Sequence, residues 1–186
     1  MPMIRETIIT TVDRDGNPHV APLGLIADGE DWIVAPFRPS RTLDNLQVVP
    51  FATATHTDDV RVFAGCLTGR HDWPLAAAEL VPVPRLAQAL SHTELAVESM
   101  DDDPQRPRIR CRALRTVMHA PFTGLNRAKA AVLEAAILVS RLNLLPRERI
   151  ERELAYLQSA VDKTAGSEER QAWTWLMEKV RSFYGA

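Results

Sequence analysis

Trp32-Ile33-Val34-Ala35-Pro36-Phe37-Arg38-Pro39-Ser40-Arg41-Thr42-Leu43-Asp44-Asn45 is the stretch on which the fold turns. An apolar run of strand character ends in arginines and hydroxyls. A short helix, Leu43 to Val48, follows. A helix N-terminus carries N–H groups without intrahelical acceptors and the positive end of the helix dipole, so it attracts anions. Arginine adds a two-pronged donor and Ser or Thr adds a hydroxyl. Two readings stay open at this point. Either Ser40 or Thr42 merely caps a surface helix, or Arg38, Ser40, Arg41 and Thr42 form a phosphate site.

The flanking sequence is organised as strands. Glu6 to Val12 is rich in β-branched residues, and Asp13-Arg14-Asp15-Gly16-Asn17-Pro18 supplies a turn. His19 to Ile26 returns, Ala27-Asp28-Gly29-Glu30 turns again, and Asp31 to Pro36 is a third strand. The chain therefore opens as a three-stranded meander. Phe51 to His56, Thr93 to Ser99 and Arg108 to His119 are further strands. Polar and apolar residues alternate over Ile109 to Arg115, as on a sheet with one wet face. Antiparallel strands joined by short turns predict a barrel or sandwich rather than a parallel sheet.

From Leu125 onward the apolar period becomes helical. Ala130, Leu133 and Ile137 mark a helix over Asn126 to Leu142. Ile150, Leu154, Leu157 and Val161 form a stripe on the next, which opens at Pro146. Trp173, Leu176 and Val180 mark a third. The predicted fold is α+β: an antiparallel barrel over residues 1–123, then a three-helix segment over 124–186.

The chain has 186 residues, 46% of them hydrophobic, and a formal net charge of −2. A chain of this length buries roughly 70% of its extended surface and needs no covalent staple. Bulk attraction to nucleic acid is not expected at this charge. No apolar run reaches the ~20 residues of a membrane span, and the N-terminus does not read as a signal peptide. Cys66 and Cys111 stand apart, without a CxxC or a Cys/His cluster, which argues for a reducing, cytoplasmic setting and against a metal site. No hydrolase triad, P-loop or dinucleotide fingerprint is present.

Other candidates are individually weaker. Asp58 and Asp59 follow Thr57 and read first as a helix start, with Thr57 or Asp58 as its cap. The functional alternative sets one of them beside a ligand or a partner chain. Asn126 reads as the cap of the first long helix, and Arg141 as a partner of that helix's dipole. His56, His71, His92 and His119 are scattered without metal-ligand spacing. His71-Asp72-Trp73-Pro74 is a loop that either connects or shapes a pocket. Trp173 and Trp175 are expected to pack among the helices.

A resemblance sharpens these readings. The meander, strand, Arg/Ser/Thr loop and short helix resemble the FMN-binding split barrels. A narrower likeness, to the family catalogued as domain of unknown function 447, rests on five segments. They are Glu6-Thr7-Ile8-Ile9-Thr10, His19-Val20-Ala21-Pro22-Leu23-Gly24, Ser40 to Leu46, Thr57 to Ala64, and Leu125 to Ala136. Their order, barrel first and helices last, also matches, and the likeness covers most of the chain.

The resemblance implies a split β-barrel homodimer that binds FMN at its interface, acts as an oxidoreductase on a small molecule, and is linked to one-carbon transfer on tetrahydromethanopterin. It implies Arg38, Ser40, Arg41 and Thr42 as phosphate ligands, with Asn45 closing the loop. His19, Val20, Ala21 and Pro22 would pass the flavin ring, although Pro22 has no N–H to give. Arg127 would reach the FMN phosphate or a substrate carboxylate. No residue is assigned to proton transfer. The rival readings are an FMN-binding carrier, sensor or accessory protein without turnover, and a helical interaction module on a plain barrel.

Overall fold

The computed structural model describes residues 3–185. The chain forms two compact units. The first runs to Thr57 and resumes over Trp73–Phe122; the second comprises Asp58–Asp72 and the described residues from Thr123 onward. Residues 58–72, grouped above with the barrel, belong to the second unit because they carry an apolar helix whose Val60 and Ala64 enter the helical core.

In the first unit, β1 (Ile4–Val12), β2 (Pro18–Asp28), β3 (Asp31–Val34), β4 (Phe51–His56), β7 (Ser91–Met100) and β8 (Ile109–Met118) close a barrel. The order around it is β1-β2-β3-β8-β7-β4, and every pairing is antiparallel. The turns follow from local chemistry. Asp13 Oδ1 accepts from the N–H groups of Asp15 and Asn17 at 3.0 and 2.9 Å, and Gly16 takes a φ of 82°. Between Asp28 and Asp31, Gly29 supplies the positive φ that a two-residue hairpin needs at its first position.

Alternation of side chains fills the barrel. Ile9, Leu25, Val34, Ala52, Ala54, Leu95, Ile109 and Cys111 form one buried cluster, which Leu43 and Leu46 join. Those two leucines come from α1 (Arg41–Val48), so this short helix is bound to the barrel core by its apolar side. Burial pushes the Cys111 thiol up to about 12, with Glu98 and Asp31 adding to the effect.

Residues 73–90 carry only a small two-stranded sheet, β5 (Leu75–Ala76) and β6 (Arg85–Leu86). Val81 and Val83 from this segment pack on Val12, with Phe51 and Leu114 beside them. Thr53 Oγ1 donates to the Pro84 carbonyl at 2.7 Å. The segment thus lies on the outer face of β1, β4 and β8. A register shift between Glu94 and Leu95 places a bulge at the same region of the β7–β8 ladder.

The second unit holds α2 (Val60–Leu67), α3 (Arg127–Val139), α4 (Arg147–Thr164) and α5 (Ser167–Tyr184). Ala131, Ala135 and Ala136 give α3 a small-residue face against Ile150, Leu154, Leu176 and Trp173. Trp173 is buried and donates from Nε1 to Gln158 Oε1 at 2.8 Å, and Trp175 packs against the same core. The helix α3 stops at Val139, short of Leu142, with Ser140 as its cap, yet Leu142 still enters the core. Pro146 is the cap of α4 rather than its first residue. The fold class is α+β, an antiparallel barrel followed by three C-terminal helices, with α1 and α2 inserted between strands of the barrel in sequence.

Candidate functional site

The arginine-bearing loop leads from β3 into α1. Ser40 caps this helix: its Oγ accepts from the Leu43 N–H at 3.3 Å, and its carbonyl accepts from the Asp44 N–H at 3.0 Å. The N–H groups of Arg41 and Thr42, in the same first turn, have no intrahelical acceptor by helix geometry. Capping and anion binding are therefore compatible here.

The two arginines stand out from the surface on either side of this turn. Arg41 is exposed and its Nη2 lies 3.9 Å from Asp13 Oδ2. Arg38 is exposed too; its Nε donates to the Asp103 carbonyl at 3.4 Å and its Nη2 lies 3.9 Å from Asp102 Oδ1. The backbone N–H of Arg38 donates to the Gln105 carbonyl at 2.9 Å, which fixes the loop against residues 101–106. The Asn17 side chain and N–H hold the Asp13 carboxyl below its ordinary value, with Arg41 contributing. The Arg106 and Gln105 N–H groups do the same for Asp103, with Arg38 contributing. These ionised neighbours orient the guanidinium groups through long, exposed contacts that an incoming dianion can outcompete.

The remaining members of the predicted set are placed differently. Thr42 is buried, so its hydroxyl is turned from solvent. Asn45 is also buried and donates from Nδ2 to Thr11 Oγ1 at 2.9 Å. It ties α1 to β1 and seats the turn from beneath. His19, Val20, Ala21 and Pro22 lie on β2 opposite Thr11, Thr10, Ile9 and Ile8. The β3 ladder begins only at Leu25, so residues 21–24 have a ladder partner on β1 alone.

Arg127 is exposed at the first position of α3, in the second unit. Asn126 caps that helix, accepting from the N–H groups of Ala128 and Lys129 and donating to the Thr164 carbonyl. The cap of α2 is Asp59, one residue beyond the expected pair Thr57 and Asp58, because Asp59 accepts from the Arg61 N–H at 3.0 Å and from its guanidinium. Asp58 pairs with Lys129 instead. Both acids are engaged within the helical unit. His71 is exposed and Trp73 half-buried.

Sequence reasoning missed one cluster. His92 and His119, far apart in the chain, meet at one end of the barrel through the β7–β8 ladder, with His56 at the neighbouring end of β4. Their strand positions bring His92 opposite Thr55 and Val117, one residue from His56 and two from His119. The His92 and His119 rings stack at 5.0 Å between centroids, with Nδ1 of the first 2.8 Å from Nε2 of the second. Glu94, fully buried two residues along β7, accepts from the backbone N–H groups of Glu79, Leu80 and Val81. The signal available in sequence was the pair His92 and Glu94, which period two puts on one strand face. Among the described residues, no group of three or more His, Cys, Asp or Glu side chains is placed to hold a metal ion. No helix among them is long and apolar enough to cross a membrane.

The closed six-stranded antiparallel barrel followed by three helices defines a split-barrel fold of the α+β class. A protein from Methanosarcina mazei, solved with FMN bound and described as DUF447, superposes with a TM-score of 0.82 at 21% identity, over 96% of this chain and 96% of that one. The 2-nitrobenzoate 2-nitroreductase of Pseudomonas fluorescens gives a TM-score of 0.54 at 16% identity, over 64% of this chain and 66% of its own. Flavoredoxin of Desulfovibrio vulgaris gives 0.51 at 12%, over 62% and 70%. Comparison with curated protein sequences gives no match. The DUF447 N-terminal domain, of unknown function, matches residues 5–120, and the DUF447 C-terminal part matches residues 126–178. The chain belongs to the DUF447 family.

Proposed function

We propose that this protein binds FMN, with its phosphate at the start of α1, and serves as a flavin-dependent oxidoreductase. The observation that carries the reading is the donor set at that turn. Two exposed arginines, Arg38 and Arg41, flank in the chain the cap of a helix whose first-turn N–H groups have no intrahelical acceptor. That set fits a phosphate dianion in charge and in hydrogen-bond direction. The FMN-bound M. mazei protein, of the same family and fold, supports it.

In this reading Arg38 and Arg41 neutralise the phosphate, the Arg41 and Thr42 N–H groups bind its oxygens, and Ser40 keeps the turn in shape. Asn45 acts through packing, since its amide is committed to Thr11. The backbone of Ala21 to Gly24, with a ladder partner on one side only, is the place along which a flat ring can lie. When bound, FMN supplies the electron-carrying ring. A homodimer with the flavin at its interface, a cytoplasmic setting and a role beside tetrahydromethanopterin-dependent one-carbon transfer extend the same proposal.

The test is direct. The purified full-length protein is expected to be yellow, or to quench the fluorescence of added FMN with a Kd in the micromolar range or below. A colourless protein that leaves FMN fluorescence unchanged ends the proposal. Anaerobic mixing with NADH or NADPH then separates turnover from carriage: bleaching of bound flavin supports the oxidoreductase, and no bleaching supports a carrier. Light scattering reads the dimer.

A further inference from the structure

The buried seam under residues 73–90 lies outside the site described above. Its centre is the Glu94 carboxylate, which takes N–H donors from Glu79, Leu80 and Val81 at 3.2, 2.6 and 3.0 Å. Those three bonds are this segment's most concentrated polar attachment to the barrel face, beside the Thr53–Pro84 bond and the packing of Val81 and Val83. Glu94 Oε1 lies 3.5 Å from His92 Nε2, and both residues are buried. His119, by contrast, is exposed to solvent. The line therefore runs from water to a carboxylate that fastens a surface segment.

Hydrogen-bond direction along the line is constrained. Two neutral imidazoles in contact share one hydrogen, so one ring donates and the other accepts. If His119 Nε2–H donates to His92 Nδ1, His92 keeps its hydrogen on Nε2, facing the carboxylate. The opposite arrangement sets a lone pair of His92 against Glu94. The favourable order is thus His119 to His92 to Glu94. One added proton rests on His119 Nδ1 and leaves the order intact. A second, on His92, sets N–H against N–H between stacked rings.

We infer that Glu94, His92 and His119 form a proton-operated fastener, which holds residues 79–81 to the barrel in neutral solution and releases them on acidification. The groups facing it from the neighbouring elements favour release. Arg85 on β6 acts on both His92 and His119, while Arg5 of β1 and His92 act in turn on His56 of β4. Opposite Glu94, Arg115 of β8 is engaged by Glu79. Burial comes first in lowering all three histidines from 6.5, so their neutral form is the one the fold prefers. For Glu94 burial works to raise the value, but the three N–H donors and His92 outweigh it and leave it below 4.5. Both signs agree. The fastening is complete above pH 6.5, weakens as the histidines charge below it, and is lost below 4.5 as Glu94 is protonated.

Amide hydrogen exchange, followed by NMR on the full chain and divided by intrinsic rates, reads the fastener at single residues. Between pH 7.5 and pH 5 the protection of Glu79, Leu80 and Val81 should fall at least tenfold, while Ile9 and Ala54 in the barrel keep theirs. Unchanged protection at 79–81, or loss in step with Ile9 and Ala54, overturns the inference. Glu94→Leu, which leaves those N–H groups without their acceptor, should remove the protection of 79–81 at every pH. Should that variant fail to fold, His119→Asn, at the exposed end, moves the pH midpoint for 79–81 downward; an unmoved midpoint also overturns it.

Discussion

Two charged regions of one barrel are used in opposite ways. At the start of α1 the charges are exposed, their partners are long and surface-bound, and donors remain for something else to take. In the seam around Glu94 the charge is fully buried and every contact serves the fold. An exposed ion pair is worth ~0–1 kcal/mol and is readily exchanged for a better partner. A buried carboxylate without its donors is strongly destabilising. The first region can exchange its partners, and the second is a place to hold.

The largest expected effect comes from the binding region. Replacing Arg38 and Arg41 together by alanine should weaken FMN by about a hundredfold or more, since each charge-assisted contact is worth about 1.5–3 kcal/mol. Riboflavin, which lacks the phosphate, should lose less than about threefold. Titration of flavin fluorescence reads both, and an equal loss for the two ligands would remove the phosphate from this turn. Thermal stability should barely change, as the arginines hold little of the fold.

The holding region should show the reverse pattern. Glu94→Gln sets an amide against N–H donors and is expected to cost about 2–3 kcal/mol in urea denaturation at pH 7.5, with FMN affinity preserved. Because Glu94 and the three histidines are lowered in the folded state, wild-type stability should decline as pH falls below 6.5 and again below 4.5. The lower of these two declines should flatten in Glu94→Gln. A variant as stable as wild type would collapse the contrast between the regions.

Smaller effects sharpen it further. Ser40→Ala and Asn126→Ala each remove a helix cap worth about 1 kcal/mol. Only Ser40→Ala should also weaken FMN, because only its turn is assigned to the phosphate. Matching FMN losses in both would point to stability rather than binding. Smallest of all is Thr55→Val. The Thr55 hydroxyl is buried and finds no partner among the described residues, so its replacement by a methyl group should be neutral or stabilise by up to about 1 kcal/mol. A loss of 1 kcal/mol or more would show that the hydroxyl is bonded in solution.

Much of the fold was legible in sequence because its signals are local. Asp13 to Pro18 encodes a turn, Ile109 to Arg115 encodes a half-wet strand, and Ile150, Leu154 and Val161 encode one helical face. The cap at Asn126 was legible for the same reason. The α1 turn was legible as a choice, of which the structure shows the cap at Ser40, with Arg38 and Arg41 exposed beside it. Less legible was α2, whose cap lies at Asp59 rather than a residue earlier. Carboxylates in a row compete equally for the first turn until Arg61 selects one.

The sequence by itself determined the succession of strands and helices, the change of period near residue 125, and the Arg-Ser-Arg approach to α1, because hydrophobic period, turn chemistry and capping act within a few residues. Only the tertiary structure decided that residues 58–72 join the helical unit, that Asn45 is spent on Thr11, and that the scattered His92 and His119 meet beside Glu94. Those outcomes depend on strand register and on which faces close over one another. Such long-range pairings leave no trace in local spacing, since a one-residue slip would turn His92 and Glu94 to the other side of the sheet.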